Sequence, residues 1–229
     1  MMPQPTGRLI RRDDGIYVVL DRIVKAPIED VWASLTRSVR LRTWIGEYTG
    51  LPSTGAVRFR MTAENDADWE NVAILECEAP HRFAADVGPA DHSWRVYWHL
   101  HEASSHTTLT FGQRLHAPKD EASIGVGWDY YLDRLLATRS GKPLPRWEDY
   151  YPDFLEHYQN LAREFEHDHH ATRGPGPSFG SPSLGGASGP APTSPFFSAA
   201  DDFSAADDPR SSSAVPAAPS DGRSQRAVE

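Results

Sequence analysis

Between residues 15 and 116 the chain has the hydrophobic pattern of β-strands. In the segment 56–63, for example, Val57, Phe59 and Met61 alternate with polar side chains. Alternation with a period of two residues indicates strands with one buried face and one face in water, as in antiparallel sheets. This pattern, together with enrichment in β-branched residues, predicts six strands joined by short connections: 15–26, 56–63, 69–78, 81–87, 92–102 and 106–116.

Helical spacing of apolar residues interrupts and follows these strands. A short amphipathic helix is predicted at 27–36, and a second short helical turn is predicted within 38–46. A long helix is predicted at about 119–138, and its apolar stripe consists of Trp128, Tyr131, Leu132, Leu135 and Leu136. Because strands and helices are segregated along the chain, the fold class is α+β, with the long helix lying across a six-stranded antiparallel sheet.

The first half of the long helix contains two glycines, Gly125 and Gly127, which are poor helix formers. Each costs about 1 kcal/mol relative to alanine in a helix interior. This cost is acceptable where the backbone must approach another element closely, or where the missing side chains leave space. We therefore expect one of these two conditions in this part of the helix.

The composition changes abruptly near His170. All the tryptophans precede it, and the segment 171–229 is mostly Pro, Gly, Ser and Ala. Such a segment buries too little apolar surface to offset the entropy lost on ordering, so we expect a disordered tail. The tail repeats the hexapeptide FSAADD, at Phe197–Asp202 and Phe203–Asp208. The repeat is either a chance duplication or a docking motif, within Phe196–Asp208, that folds on a protein partner.

Charge and cysteine content narrow the choice of partners and location. The formal net charge is −9, which argues against a nucleic-acid partner and against adhesion to anionic membranes. No apolar segment approaches the roughly 20 residues that span a bilayer, and no signal peptide is recognisable. With Cys77 as its single cysteine, the chain suits a reducing compartment, and we expect a cytoplasmic protein. The basic cluster Arg8, Arg11 and Arg12 is expected in a solvated lead-in at 1–14.

Few residues are candidates for chemistry. Cys77 has no Cys-x-x-Cys partner, and we expect it to be a small buried hydrophobic residue and not a nucleophile. The paired acids Asp129 and Asp133 are expected in solvent, on the flank of the long helix that is opposite its apolar stripe. Glu76 and Glu78 share a strand face whose direction the pattern does not fix. Their use as an acid–base pair is the weaker hypothesis.

Histidines suggest metal binding at two places. His99 and His101 share one face of a strand, and HDHH at 167–170 ends a helical segment. The first pair lies opposite the apolar face and is expected in solvent, and the second cluster lies where a helix frays. We therefore predict no metal site, no cofactor and no catalytic residue.

The remaining signal is aromatic. Seven large rings lie at positions that the patterns assign to the inner surface or to its mouth: Trp44, Phe59, Trp94, Trp98, Phe111, Trp128 and Tyr131. Two interpretations are open. Rings at such spacing are usually plain core, whereas many large rings on one concave surface leave gaps that a ligand fills. Arg60 or Gln113 is the candidate polar anchor for such a ligand.

Several segments, in their order along the chain, resemble one known family. They are RIVKAPIEDVWASLT (22–36), TWIGEYTG (43–50), GAVRFRM (55–61), ECEAPHRF (76–83), TLTFGQRL (108–115) and GWDYYLDRL (127–135). Together they resemble a START-like (SRPBCC) domain, of the branch named after the C-terminal domain of the activator of Hsp90 ATPase. The resemblance covers residues 15–138. The segment 139–170 is a helical extension that we expect to pack on the domain, a contact between two copies being the alternative.

The resemblance implies a helix-grip fold, in which a curved sheet wraps around the long C-terminal helix. Many members bind a hydrophobic small molecule between sheet and helix, and some relatives are cyclases or aromatases. We therefore expect the domain to bind a small hydrophobic or aromatic molecule without catalysis. The alternative is a protein-interaction or chaperone-associated role, with the tail as the contact, and a cyclase- or aromatase-like enzyme is the third hypothesis.

Overall fold

The computed structural model describes residues 3–63, 68–89, 93–116 and 121–172. Side chains are described in the same ranges except at residue 121 and at 168–172. The docking motif predicted within Phe196–Asp208 lies outside the described residues. A partner for that segment therefore stays a prediction.

Antiparallel pairing joins eight strands into one sheet within the described residues. Their order across the sheet is β1-β2-β8-β7-β6-β5-β4-β3. Strands that follow one another along the chain mostly lie side by side, and β8 returns to pair with β2. The strands are β1 (Arg8–Arg12), β2 (Gly15–Val24), β3 (Gly46–Thr49), β4 (Ala56–Met61), β5 (Glu70–Glu78), β6 (Arg82–Val87), β7 (Trp94–Ala103) and β8 (His106–Leu115).

The α-helices in the described residues are α1 (Ile28–Thr36), α2 (Ser38–Leu41), α3 (Glu121–Ser140) and α4 (Leu155–Thr172). Short 3₁₀ turns lie at Pro52–Thr54 and Trp147–Asp149. The main core lies between the inner face of the sheet and α3, where Leu20 and Leu109 are in one cluster with Leu132 and Leu135. The predicted α+β class and helix-grip fold are therefore confirmed.

Strand β1 corrects the prediction of six strands, and it lies within the segment 1–14 that was expected to be a solvated lead-in. It forms the edge of the sheet and pairs with β2. The Arg12 guanidinium stacks over the Tyr97 ring, 3.9 Å from its centroid. Tyr97 forms a small second cluster with Tyr17 and Val19 on the outer face, which the pattern had assigned to water. The arginines of β1 therefore cover aromatic rings, and this is why a polar segment joins the sheet.

Strand β3 is the second addition to the predicted sheet. It has only four residues, directly after the helical turn that the sequence predicts within 38–46. The Ser38 hydroxyl of α2 holds it from the side, because it accepts a hydrogen bond from the Tyr48 backbone N–H at 3.0 Å and donates to the Tyr48 carbonyl at 2.9 Å. These two hydrogen bonds anchor the strand, and hydrophobic alternation in the sequence does not reveal them.

Helix α3 approaches α4 closely at Gly125. A Cβ atom at this position would lie 2.2 Å from the Tyr158 ring, which is far inside van der Waals contact. The Tyr158 ring is fully buried between α3 and Gly7 of the N-terminal segment. Gly125 therefore meets the expectation of a close approach to another element, because the absence of a side chain leaves room for the Tyr158 ring.

A buried ionic network joins the N-terminal segment to β2, α3 and α4. Arg22 donates to Asp129 at 2.8 Å and to Asp133 at 2.9 Å. Asp129 is fully buried and also accepts hydrogen bonds from the Thr6 backbone N–H at 3.1 Å and from the Tyr158 hydroxyl. The prediction that Asp129 and Asp133 lie in solvent is wrong, because α4 and the N-terminal segment cover this flank of α3.

The tyrosine hydroxyls of this network act as donors. Burial, together with the adjacent Asp129 carboxylate, raises the pKa of Tyr158 above its ordinary range. Burial and a 2.8 Å hydrogen bond to Asp133 raise the pKa of Tyr150 in the same direction. Both hydroxyls therefore stay protonated at neutral pH and donate hydrogen bonds to the carboxylates of Asp129 and Asp133.

Candidate functional site

A cavity of about 400 Å³ lies between the inner face of the sheet and the helices α1, α2 and α3. Strands β4 to β8 contribute inward-pointing residues such as Val96, and α3 contributes Leu132 from the opposite side. Leu35 and Leu41 close one end of the cavity from α1 and α2. The space is therefore bounded by the same elements that form the main core.

All seven aromatic residues that the sequence assigned to the inner surface lie on the wall of this cavity. One of them precedes β3, four lie on sheet strands and two lie on α3. They are Trp44, Phe59, Trp94, Trp98, Phe111, Trp128 and Tyr131. The strands and α3 thus converge on one space because their apolar periodicities point to the same side.

The rings of the wall pack partly on one another. Phe111 and Trp128 have centroids 4.0 Å apart, and Trp128 meets Tyr131 edge-on at 6.2 Å. Trp98 is stacked on Phe83 with centroids 4.1 Å apart and planes inclined by 12°. The rings therefore form a rigid aromatic wall and still leave the central space unfilled.

The sequence analysis missed the contribution of α1 and of the 3₁₀ turn that follows β3. Trp32 and Leu35 line the cavity from α1, and Pro52 lines it from the turn. The helical spacing of Trp32 and Leu35 was visible in the sequence, but it did not show which part of the sheet this helix covers.

A β-bulge in β5 decides which of its side chains face the cavity. Ile74 pairs with Ala85 and Glu76 pairs with Ala84, so that Leu75 has no partner in the register. Ile74 and Cys77 therefore both line the cavity, although they are three residues apart. A strict alternation would have directed Glu76 inward with Ile74.

The candidate acid–base pair lies on the outside of the sheet. Glu76 and Glu78 are exposed, and Glu76 lies 3.9 Å from Arg82 of the neighbouring strand. Neither residue is on the cavity wall. The structure thus removes the sequence argument for catalysis by these carboxylates.

Cys77 does not match its predicted environment. It is exposed, and its side chain lies at the edge of the cavity wall. The prediction of a small buried hydrophobic residue is therefore wrong. The bulge puts Cys77 on the cavity side of β5, but the end of this strand is exposed to solvent. Its place makes the single thiol of the chain a marker of the cavity mouth.

Of the two candidate polar anchors, one lies on the wall. Gln113 is 3% exposed and lines the cavity, and its Oε1 accepts a hydrogen bond from the Trp128 indole N–H at 2.6 Å. Arg60 is not on the wall: it donates to Glu47 at 2.6 Å and lies over the Trp69 ring. Arg60 is therefore wrong as an anchor.

The described part of the wall contains no Asp, Glu, Lys, Arg or His side chain. It therefore offers neither a charge for an ionic ligand nor a carboxylate or imidazole for proton transfer. No group of three or more His, Cys, Asp or Glu side chains among the described residues is arranged to hold a metal ion.

A second, polar pocket of about 280 Å³ lies on the other side of Trp44, among α1, α2 and α3. Asp30 accepts hydrogen bonds there from Arg40 and from Arg139, both at 2.6 Å. These two hydrogen bonds hold the pKa of the Asp30 carboxyl below its usual value. Trp44 thus separates a charged space from an apolar one, and its indole N–H donates to the Ser34 carbonyl at 3.1 Å.

A family model supports what the geometry indicates. The model described as activator of Hsp90 ATPase homolog 1-like protein matches residues 25–139. The chain belongs to this family. The match begins at the end of β2 and ends near the end of α3, so it contains most of the sheet and the elements that enclose the cavity. The resemblance seen in the sequence is confirmed, and the fold of the family supports a ligand-binding or activator-type domain.

Solved structures from several bacteria have the same fold. CalU16 from Micromonospora echinospora has 20% identity and a TM-score of 0.53, and the match covers 73% of this chain and 98% of that chain. A protein from Bordetella parapertussis has 19% identity and a TM-score of 0.54, with 69% and 91% covered. EF2215 from Enterococcus faecalis, a conserved protein of unknown function, has 19% identity and a TM-score of 0.50, with 71% and 91% covered.

Among curated proteins, none matches the chain. Within the described residues, no helix has the length and apolar character needed to cross a lipid bilayer.

Proposed function

We propose that this domain binds a neutral, ring-containing hydrophobic small molecule in the cavity between the sheet and α3. The observation that carries the proposal is a partly open cavity of about 400 Å³ with seven aromatic side chains on its wall. Ligand pockets typically measure roughly 300–1,000 Å³ and are lined mainly by apolar and aromatic side chains. The cavity is thus large enough for a compound of two to four fused or linked rings.

The character of the wall favours an apolar ligand over water. A buried water molecule needs about two to four polar partners. The polar groups of the described wall residues are dispersed among apolar side chains: the Gln113 amide, the hydroxyls of Thr36, Tyr48, Ser53 and Tyr131, and indole N–H groups such as that of Trp98. A charged ligand would lose its hydration without meeting an opposite charge. Binding without chemistry is the function that such a wall supports, since no acid–base pair faces the space.

Filling the cavity tests the proposal. Val72 of β5 points into the cavity, whereas the next residue, Ala73, is exposed on the outer face. The fluorescent apolar probe N-phenyl-1-naphthylamine should bind the full chain, and Val72→Phe should weaken its binding by about tenfold or more because the new ring occupies its space. Ala73→Phe adds the same group outside the cavity and should leave binding unchanged.

The measurement is a titration followed by probe fluorescence, with thermal unfolding recorded for each variant. Equal probe affinity in wild type, Val72→Phe and Ala73→Phe would contradict binding in this cavity. If the probe does not bind to the wild-type chain at all, the proposed function as a whole is contradicted.

A further inference from the structure

The apolar wall contains one buried amide, at Gln113. It lies on the inner face of β8, two residues from Phe111 and two from Leu115, and its partners in the neighbouring strands are Val18 and Val96. All four neighbours are buried apolar residues. A polar side chain in such a place needs hydrogen-bond partners for both ends of its amide.

The hydrogen bond from Trp128 fixes how this amide is turned. An indole N–H can only donate, so the atom of Gln113 that faces Trp128 must be the oxygen. Trp128 is itself held against Phe111, with ring centroids 4.0 Å apart. The amide NH₂ is therefore directed away from Trp128 by a rigid neighbour.

The amide NH₂ has no acceptor among the residues that the structure describes. The hydrogen bond of Gln113 to a described side chain runs through its oxygen, to Trp128. Gln113 is 3% exposed, and its Nε2 does not belong to the fully buried polar atoms that lack a partner, so the NH₂ group is accessible from the cavity. Two N–H donors thus remain for whatever occupies the cavity that Gln113 lines.

We propose that Gln113 recognises a carbonyl-type oxygen on the ligand, so that the domain prefers neutral cyclic ketones or quinones over the matching hydrocarbons. This inference rests on the proposed function and adds the polar group of the ligand. The two N–H groups of Gln113 are donors, and a donor pair selects an acceptor on the ligand. A neutral acceptor suits the wall because its described residues carry no cation to balance an anion. Since Trp128 already orients the amide, little side-chain entropy is lost when a ligand accepts the bond.

A matched pair of rigid tricycles tests the inference. Fluorene and 9-fluorenone have the same ring skeleton and differ in a CH₂ group against a C=O group. Each is titrated into the full chain against bound N-phenyl-1-naphthylamine, and the ratio of the two dissociation constants is measured. Wild type should bind fluorenone about ten- to a hundredfold more tightly, as expected for pairing a buried donor that otherwise stays unsatisfied.

The decisive variant is Gln113→Met, which keeps the length of the side chain and removes the amide. Its fluorenone preference should fall by about tenfold or more, while its affinity for fluorene stays within about threefold of wild type. Arg114→Met, on the outer face of the same strand, is the matched control and should keep the preference. If Gln113→Met does not fold, Gln113→Glu at pH 8 keeps an acceptor for Trp128, lacks the N–H donors and should lose the preference.

The outcomes separate this inference from the proposed function. Equal binding of fluorene and fluorenone by wild type, or an unchanged preference in Gln113→Met, would overturn the role of Gln113 and leave the cavity function standing. A purely structural role of Gln113 would weaken both tricycles equally, which also overturns the inference. If the probe does not bind to wild type, both proposals fail. If the probe binds and neither tricycle displaces it, the role of Gln113 is overturned.

Discussion

At the scale of single residues, Arg22 is a charged side chain that is buried among apolar ones. It pairs in register with Leu109 and lies on the inner face of β2, where its neighbours two residues away are Leu20 and Val24. A guanidinium at 7% exposure is compatible with this face because two aspartates of α3 meet it directly. Removal of one member of such a group leaves a buried charge without compensation.

The first prediction concerns this pair. Arg22→Met should destabilise the protein by about 3–5 kcal/mol, because Asp129 is fully buried and would lose its counter-charge. The matched control is Arg8→Met, which removes the ion pair between Arg8 and Asp21, whose side chains are 48% and 40% exposed. That loss should cost about 0–1 kcal/mol.

Urea unfolding followed by tryptophan fluorescence measures both changes. If Arg22→Met costs no more than Arg8→Met, the network does not stabilise the fold in the way its burial suggests.

At the scale of elements, α3 is buried on two sides. Its apolar stripe faces the cavity and the sheet, and the opposite flank with Asp129 packs against α4 and the N-terminal segment. A helix with two covered flanks lacks the simple division into an apolar and a polar face. This is the physical reason why the sequence analysis placed Asp129 in solvent.

Because α3 and α4 approach closely at Gly125, we expect one substitution there to have opposite effects on stability in two backgrounds. Gly125→Ala gains about 1 kcal/mol of helix propensity, but its methyl group would meet the Tyr158 ring at 2.2 Å. Overpacking of this kind costs about 1–3 kcal/mol, so the substitution should be destabilising overall. In a Tyr158→Ala background the ring is absent, and the same Gly125→Ala change should stabilise.

Chemical denaturation of the four proteins of this cycle gives both differences. A stabilising effect of Gly125→Ala in the wild-type background would show that α4 does not press on α3 at this position.

At the scale of the whole molecule, the cavity has a mouth near the exposed end of β5. Cys77 belongs to the wall and is also exposed to solvent, as are Pro52 and Ser53, so the cavity is open to water at these residues. A bound ligand should therefore shield this thiol.

The corresponding prediction uses the reactivity of Cys77. Saturation with N-phenyl-1-naphthylamine should slow the reaction of Cys77 with 4,4′-dithiodipyridine several-fold, since thiol–disulfide exchange depends on access. The control is the variant Cys77→Ala/Ala73→Cys, which moves the only thiol of the chain to the outer face of the same strand. An unchanged rate at Cys77, or equal slowing at both positions, would contradict a ligand at this mouth.

The sequence was sufficient for most of the architecture. The six predicted strands and α3 lie within a few residues of their predicted bounds, because one-sided burial imposes a clear period on each of them. Strands β1 and β3 were not predicted since one carries arginines that stack on aromatic rings and the other is only four residues long and held by Ser38. Neither contact is visible in a periodicity, because one joins Arg12 to Tyr97 of β7 and the other joins the Ser38 side chain to the backbone of Tyr48.

In the candidate site too, some features followed from sequence periodicity and others only from contacts in the folded structure. Strand alternation pointed to four of the seven aromatic residues that line the cavity, and the helical spacing of α3 pointed to two more. The position of Cys77 and the exclusion of Arg60 required the three-dimensional structure, because a bulge and a cross-strand ion pair with Glu47 determine them. Gln113 was one of two candidates in the sequence, and its place on the cavity wall distinguishes it from Arg60.

The bulge at Leu75 has a consequence for the comparison of relatives. Before the bulge, even-numbered residues of β5 such as Val72 and Ile74 face the cavity, and after it the odd-numbered Cys77 does. A relative whose β5 has the same length but no bulge would direct the counterpart of Glu76 into the cavity, and its wall would then hold a carboxylate. A relative that lacks the counterpart of Leu75 would keep the neutral wall, because deleting the extra residue removes the bulge without changing which later residues face inward.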